Sequence, residues 1–333
     1  MKVLKSLFCS IVLSLIVVAP IFSVPAKATT ENLIEAKKPI TYEEQEVLKV
    51  NKNGKTESLK SLNRSDRSSV IQKAKQLFNN NIKSEINYNN PLAKQENNVV
   101  NVPVVDTKDN NAKTSAKKPS LVTMSYLTTY DPNKKTITTK IAIKNIVGEK
   151  PVVIEASNDL YTSNTYSGKY QRVFIHSREF LGANIKVGKS YSKSYSVKST
   201  KFYISRHTTV AGWKGSLPDT STGQLAPTLA NKIGEIYPAI INHHNNKMLP
   251  LPSRADLPKV PEKDRVDWDS SKDRGAYIKK YIDTYGNPKW DWSAIDIHHV
   301  IPRERGGNNS FNNLYPLPRT MHQQLLNPWW ARY

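Results

Sequence analysis

Trp290-Asp291-Trp292-Ser293-Ala294-Ile295-Asp296-Ile297-His298-His299-Val300-Ile301-Pro302 is the stretch on which the reading of this 333-residue chain turns. Its β-branched residues predict a strand over 295–301 that Pro302 stops, since proline cannot donate to a ladder. Neighbouring strand residues point to opposite faces, so His298 and His299 are expected to do different jobs. Upstream, Asp269, Ser270 and Ser271 can cap a helix whose Ile278, Tyr281, Ile282 and Tyr285 share one face, and Gly286 and Pro288 end it. Downstream, Arg303-Glu304-Arg305-Gly306-Gly307-Asn308-Asn309-Ser310-Phe311-Asn312 supplies glycines for a sharp reversal and, in Arg303 and Arg305, forked donors suited to phosphate oxygens. Asn313-Leu314-Tyr315-Pro316 then offers a second strand, and residues 318–326 a helix carrying His322. The predicted order is strand, loop, strand, helix.

Asp296-Ile297-His298-His299, Gly306-Gly307, Asn313-Leu314 and His322 occur in an order and spacing that resemble the HNH (ββα-metal) nuclease motif. The likeness is to the paired-histidine version of nuclease bacteriocins and bacterial polymorphic toxins. It covers the chain from Trp290 to its end, about an eighth of the length. The resemblance implies that His298 and His322 are metal ligands and that His299 is the general base that activates water. It also implies that Asn313 fixes the loop so that His299 points correctly, and that Asp296 orients a histidine. Close relatives often carry a further metal-binding histidine one turn beyond the position of His322; here that place holds Leu326, with Asn327 beside it as a possible substitute ligand. One divalent ion is therefore expected, Mg²⁺ or Mn²⁺, with Zn²⁺ or Ni²⁺ as alternatives. The chemistry is coherent: phosphodiester hydrolysis needs an activated water and a cation to offset charge in the transition state.

Working outward, Lys2 and Lys5 precede an apolar run over 7–19, and Ala26-Lys27-Ala28 has the small-x-small pattern of signal-peptidase cleavage. The apolar run is too short and too serine-rich for a retained span. The expectation is a secreted protein cleaved near Ala28, with no stable membrane span after removal. Cys9 is the single cysteine and would leave with the peptide, so disulfides and thiolate ligands are excluded, and His, Asp, Glu and Asn are left to hold a metal. The formal charge of +21 becomes +18 once Lys2, Lys5 and Lys27 are gone, a surplus that attracts nucleic acid or an anionic cell envelope.

Residues 29–120 are rich in Asn, Lys and Ser and read as disordered linker, apart from a short helix marked by Val70, Ile71, Ala74, Leu77 and Phe78 behind Ser65 and Asp66. From residue 121 the pattern becomes strand-like. A hairpin is predicted from strands over 121–130 and 136–145 around Asp131-Pro132-Asn133-Lys134, with further strands over 152–156, 172–176, 191–197 and 202–205. His176 and His207 lie in these strands without an acidic companion and read as hydrogen-bonded or solvent-facing residues. Residues 215–266 hold Pro218, Pro227, Pro238, Pro250, Pro252, Pro258 and Pro261 and read as a semi-rigid connector with a short helix over 229–237. His243-His244 within it reads as solvated. Trp329, Trp330 and Tyr333 are expected to pack onto the last helix.

The resulting expectation is a multidomain α+β chain: signal peptide 1–28, disordered segment 29–120, all-β sandwich-like domain 121–214, connector 215–266 and a ββα-metal module 267–333. The resemblance implies a secreted, metal-dependent HNH endonuclease that hydrolyses DNA with low sequence specificity, an antibacterial toxin whose producer would need an immunity protein. The alternatives are a non-enzymatic envelope-binding protein and an extracellular nutrient-scavenging nuclease.

Overall fold

From residue 121 onward, alternating polar and β-branched or aromatic residues build antiparallel ladders, and the computed structural model describes these together with two segments ahead of them: residues 38–50, 67–85 and 120–333. One sheet has the order β1 (Ile40–Lys49), β2 (Leu121–Asp131), β3 (Thr136–Val147), β7 (Ser190–Ser196). The second runs β10 (Thr228–Ala230), β8 (Lys201–Gly212), β4 (Val153–Ser163), β5 (Gln171–Phe174). In it β6 (Ser177–Leu181) also pairs with β4, and β9 (Asp219–Gln224) with β8. The molecule is mixed α+β, with antiparallel sheets and few helices.

The two sheets share a core in which Leu48, Val122, Met124, Ile141 and Ile143 meet Ile154, Ala156, Phe180, Ala211 and Trp213. Each Val, Leu, Ile, Met or Phe side chain removed from water here contributes about 1.5–3 kcal/mol. Polar pairs cross the same interface: Thr128 Oγ1 donates to Ser205 Oγ at 2.8 Å, and Thr139 Oγ1 lies 2.9 Å from His176 Nδ1. The outer face of the second sheet is covered as well. Helix α1 (Arg67–Glu85) lays Val70, Ala74 and Phe78 on Val153 and Val210. Further along that face, Tyr161, Phe202 and Ile204 pack against Leu229, Tyr237, Leu249, Val300, Tyr315, Leu326 and Trp329.

Several expectations change here. Residues 40–49, read as linker, form the edge strand β1, because Leu48 on one face reaches the shared core while the alternate positions face out. Residues 229–237 are not helical; β10 and a turn bonded from Gly234 N to Asn231 O replace the helix. Residues 215–266, read as a semi-rigid connector, contribute Leu229, Tyr237, Ile240, Leu249 and Ala255 to the core. His207 does have acidic company: Glu46 of β1 lies 3.0 Å from its Nε2 and Glu44 3.9 Å, while Tyr126 stacks on the ring. His244 is not merely solvated, since its Nε2 lies 3.0 Å from the carbonyl of Tyr285 and 3.2 Å from that of Gly286, at the end of a helix. The predicted signal peptide, the capping pair Ser65-Asp66 and most of the predicted linker lie outside the described residues. Among the described residues no helix is long and apolar enough to cross a membrane.

The carboxy-terminal elements follow a short hairpin of β11 (Ile241–Asn242) and β12 (Lys247–Met248): α2 (Lys272–Tyr285), then β13 (Ile295–His299) paired antiparallel with β14 (Leu314–Pro318). The helical stretch 319–331 comes last, made of α3 (Arg319–Met321), a π-helical turn (His322–Leu326) and α4 (Asn327–Ala331). Asp269 caps α2 by accepting from the backbone N–H groups of Ser271 and Lys272, and Asp273 Oδ2 returns the contact by accepting from Asp269 N at 2.8 Å. Arg274 ties α2 to β13 through the carbonyls of Trp292 and Ile295. Trp329 is fully buried and Trp330 nearly so, but against Tyr237 and the second sheet rather than against their own helix alone.

Candidate metal centre and the neighbouring histidine

Asp296 and His298 are two apart on β13 and therefore share a face, which the helical stretch covers with His322. Asp296 Oδ2 lies 3.0 Å from His322 Nδ1, and His322 Nε2 lies 3.2 Å from His298 Nδ1. A carboxylate only accepts, so Nδ1 of His322 carries a ring hydrogen, and Nε2 is aimed at His298. Burial works against ionisation of Asp296, yet the bonds from His322 and Arg319 hold its carboxyl below the usual carboxylate range. Arg319 Nε donates to its other oxygen at 3.1 Å. His298 is 4% exposed. Burial, with His322 and His299 close by, pushes its imidazole well below the usual histidine value, so at neutral pH it is uncharged and has a lone pair to offer.

Two imidazole nitrogens on one tetrahedral ion, each about 2.0–2.1 Å from it, stand about 3.3 Å apart. The observed 3.2 Å separation therefore fits a shared divalent cation. Nε2 of His298 is buried with no hydrogen-bond partner among the described residues, which leaves the ring held mainly through its Nδ1 side. Among the described residues no group of three or more His, Cys, Asp or Glu side chains is arranged around one metal position. A cation on the imidazole pair would thus keep most of its coordination for water or substrate oxygens. Asn327 begins α4 with an exposed side chain and shares no hydrogen bond with Asp296, His298 or His322 among the described residues. Leu326, at the place of the missing histidine, is fully buried in the core beside Trp329.

His299, the next residue, has partners of its own. Its Nε2 lies 2.9 Å from Asn309 Oδ1, and Trp268 meets the ring edge-on at a centroid distance of 5.0 Å. Burial is the main cause that lowers its pKa; the bond to Asn309 acts in the opposite direction, and the Arg303 charge lowers it further. The ring next to the imidazole pair is therefore neutral, with base capacity, near pH 7.

Gly306-Gly307 and Asn313 build the loop that carries these groups. Gly306 adopts φ +83°, and a Cβ on Gly307 would sit 1.6 Å from the carbonyl oxygen of Ile301, so only glycine fits there. Asn313 Oδ1 accepts from Ile301 N at 2.9 Å, while its Nδ2 donates to Ile301 O at 3.1 Å and Asn308 O at 2.8 Å. The amide joins the exit of β13 to the far side of the loop. The two loop arginines diverge. Arg303 donates to Val266 O at 3.0 Å and acts electrostatically on His299. Arg305 is 20% exposed, donates to Leu257 O and stacks over Tyr333 at 4.8 Å, a packing role rather than one facing the site.

Three neighbours of the site, Asn309, Trp268 and Asp273, carry no signal that residue type and spacing expose, and a fourth, Arg319, carries only a spacing. Asn309 in a Gly-Gly-Asn-Asn-Ser run reads as a turn former. Trp268 comes from the approach to α2 and Asp273 from its first turn, and only folding brings them to the loop. Arg319 is three residues before His322, a helical spacing from which a shared face could have been inferred. Comparison with known proteins adds no relative: no family model matches the chain, and no curated protein or solved structure matches it.

Proposed function

We propose that this chain is a secreted, metal-dependent endonuclease of the HNH (ββα-metal) type that hydrolyses DNA phosphodiester bonds with little sequence preference, and that it serves as an antibacterial toxin. The observation that carries this reading is the 3.2 Å approach of His298 Nδ1 to His322 Nε2, with the His299 imidazole close enough to act electrostatically on His298 and to be acted on by His322. The imidazoles of His298 and His322 would hold the divalent ion, and Asp296 keeps His322 in the tautomer that can ligate. A cation bound there supplies positive charge to offset the negative charge that builds on the phosphate oxygens.

The chain's own groups perform the rest. His299 takes a proton from the attacking water as the new phosphorus–oxygen bond forms; the bond from phosphorus to the leaving oxygen breaks, and that oxygen takes a proton from solvent. Arg303, the loop arginine whose charge acts on His299, would offer its remaining guanidinium donors to a phosphate oxygen. The formal charge, +18 once the export segment is removed, favours backbone contact with DNA over base reading.

The test uses the secreted form of the chain with supercoiled plasmid and Mg²⁺, Mn²⁺, Ni²⁺ or Zn²⁺. The wild type is expected to nick and linearise the plasmid, and His299→Ala to lose about 10²–10⁴-fold in rate. Absence of cleavage with all four ions overturns the reading. For the toxin role, expression without the export segment in a host lacking any protective partner should be lethal, and His299→Ala should restore growth. Equal growth of both would remove the toxin assignment while leaving the nuclease.

A further inference from the structure

We infer that Asn309 is the positioning residue that sets the tautomer of His299, placing the ring hydrogen on Nε2 and leaving Nδ1 as the nitrogen that receives the proton from water. The inference rests on the reading of His299 as the base and adds to it which nitrogen acts and what enforces the choice. Asn309 Nδ2 donates to the backbone carbonyl of Asp267 at 2.7 Å and points at Asp273 Oδ2 at 3.4 Å. Both partners can only accept, so the amide cannot be turned over without setting its own oxygen against a carbonyl and a carboxylate. Its Oδ1 must then be the atom 2.9 Å from His299 Nε2, and that nitrogen must donate. A neutral imidazole carries one N–H, so Nδ1 has the lone pair. Among the described residues Nδ1 makes no hydrogen bond, and it is not among the side-chain atoms buried without a partner.

Asp273 is itself fixed, because its Oδ2 accepts from Asp269 N at the start of α2. Trp268, one residue after Asp267, packs against the imidazole. The orientation of His299 is thus inherited from the entrance of α2 through Asn309. Asn313 does a separate job: it bonds the backbone at Ile301 and Asn308 and so carries the residue that holds the ring. On proton transfer to Nδ1 the ring becomes an imidazolium whose Nε2–H stays on Asn309 Oδ1, so no group has to reorient during the step.

The test is long-range ¹H–¹⁵N correlation NMR of the ¹⁵N-histidine-labelled secreted chain at a pH where the ring is neutral, with the His299 signal assigned by its loss in His299→Gln. A single Nε2–H pattern at His299 is expected. In Asn309→Ala the pattern should become a mixture of tautomers, and plasmid cleavage should lose about 100-fold in kcat while KM stays within about twofold. An Nδ1–H pattern in the wild type overturns the inference without any variant having to fold, as does a wild-type tautomer and kcat in Asn309→Ala. If the wild type shows Nε2–H but cuts no nucleic acid, the nuclease reading fails and the tautomer assignment stands; cleavage with an Nδ1–H ring is the reverse.

Discussion

His322 is held from one side by a carboxylate and faced from the other by an imidazole, with Asp296 Oδ2 at 3.0 Å and His298 Nδ1 at 3.2 Å. The carboxylate contributes by fixing a tautomer and raising the basicity of the opposite nitrogen, so its removal should show in ion binding before it shows in folding. Asp296→Asn is expected to weaken Ni²⁺ or Zn²⁺ binding about 10–100-fold by isothermal titration. An unchanged affinity would mean that the Asp296 contact does not support a ligand. Asp296, His298 and His322 are legible because their order and spacing resemble a known motif, which needs no knowledge of the rest of the fold. Asn309 is not, because the group that fixes its amide, the carbonyl of Asp267, is 42 residues away in the chain.

The loop between β13 and β14 shows two different demands for glycine. Gly306 needs a positive φ of +83° but has only Val260 near its missing Cβ, whereas Gly307 has the Ile301 carbonyl at 1.6 Å and Asn313 Nδ2 at 3.0 Å. Gly306→Ala should therefore cost about 1–2 kcal/mol of backbone strain, and Gly307→Ala about 3 kcal/mol or more, because backbone and not a flexible side chain must move. Urea unfolding of the two variants checks the order; equal costs would show that the loop relaxes around the added methyl. Strand β8 makes the complementary point about legibility. Only 202–205 reads as strand, because Arg206, His207, Thr208 and Thr209 look like surface residues, yet all four are buried between two covered faces. Alternation is visible in a sequence only when one face meets water.

Across the molecule, the terminal elements and the β-rich part close one core, with Leu326 and Trp329 against Tyr161, Phe202 and Ile204. Residues 267–333 produced alone would expose Val300, Tyr315, Leu317, Leu326, Trp329 and Trp330, and they are expected to bind a hydrophobic dye and to lack a sharp thermal transition. A cooperative transition in that fragment would show that the shared core is dispensable. A second expectation comes from His176, fully buried between the sheets, whose imidazole burial pushes down from 6.5 to about 4, with the Arg178 and Lys193 charges acting in the same direction. The unfolded ring takes a proton as pH falls through 6.5 while the folded ring waits until about 4, so in that window the unfolded state binds more protons and stability falls with falling pH. Relative to His176→Asn, the wild type should lose about 3 kcal/mol between pH 7 and pH 4. Urea midpoints for the pair across this range check it, and a constant gap would contradict it.

Local periodicity and capping chemistry determined the hairpin of β2 and β3, the helices α1 and α2, and the strand–loop–strand–helix order that carries Asp296, His298, His299, Asn313 and His322, because those features depend on neighbours a few residues away. Tertiary structure alone decided that residues 40–49 complete a sheet, that the proline-rich stretch 215–266 contributes to the core, that Arg305 packs over Tyr333 while the Arg303 charge acts on His299, and that Asn309 holds the imidazole. Each of those outcomes depends on a partner far away in the chain, and burial or hydrogen bonding against a distant surface overrides what composition and turn propensity suggest at the residue itself.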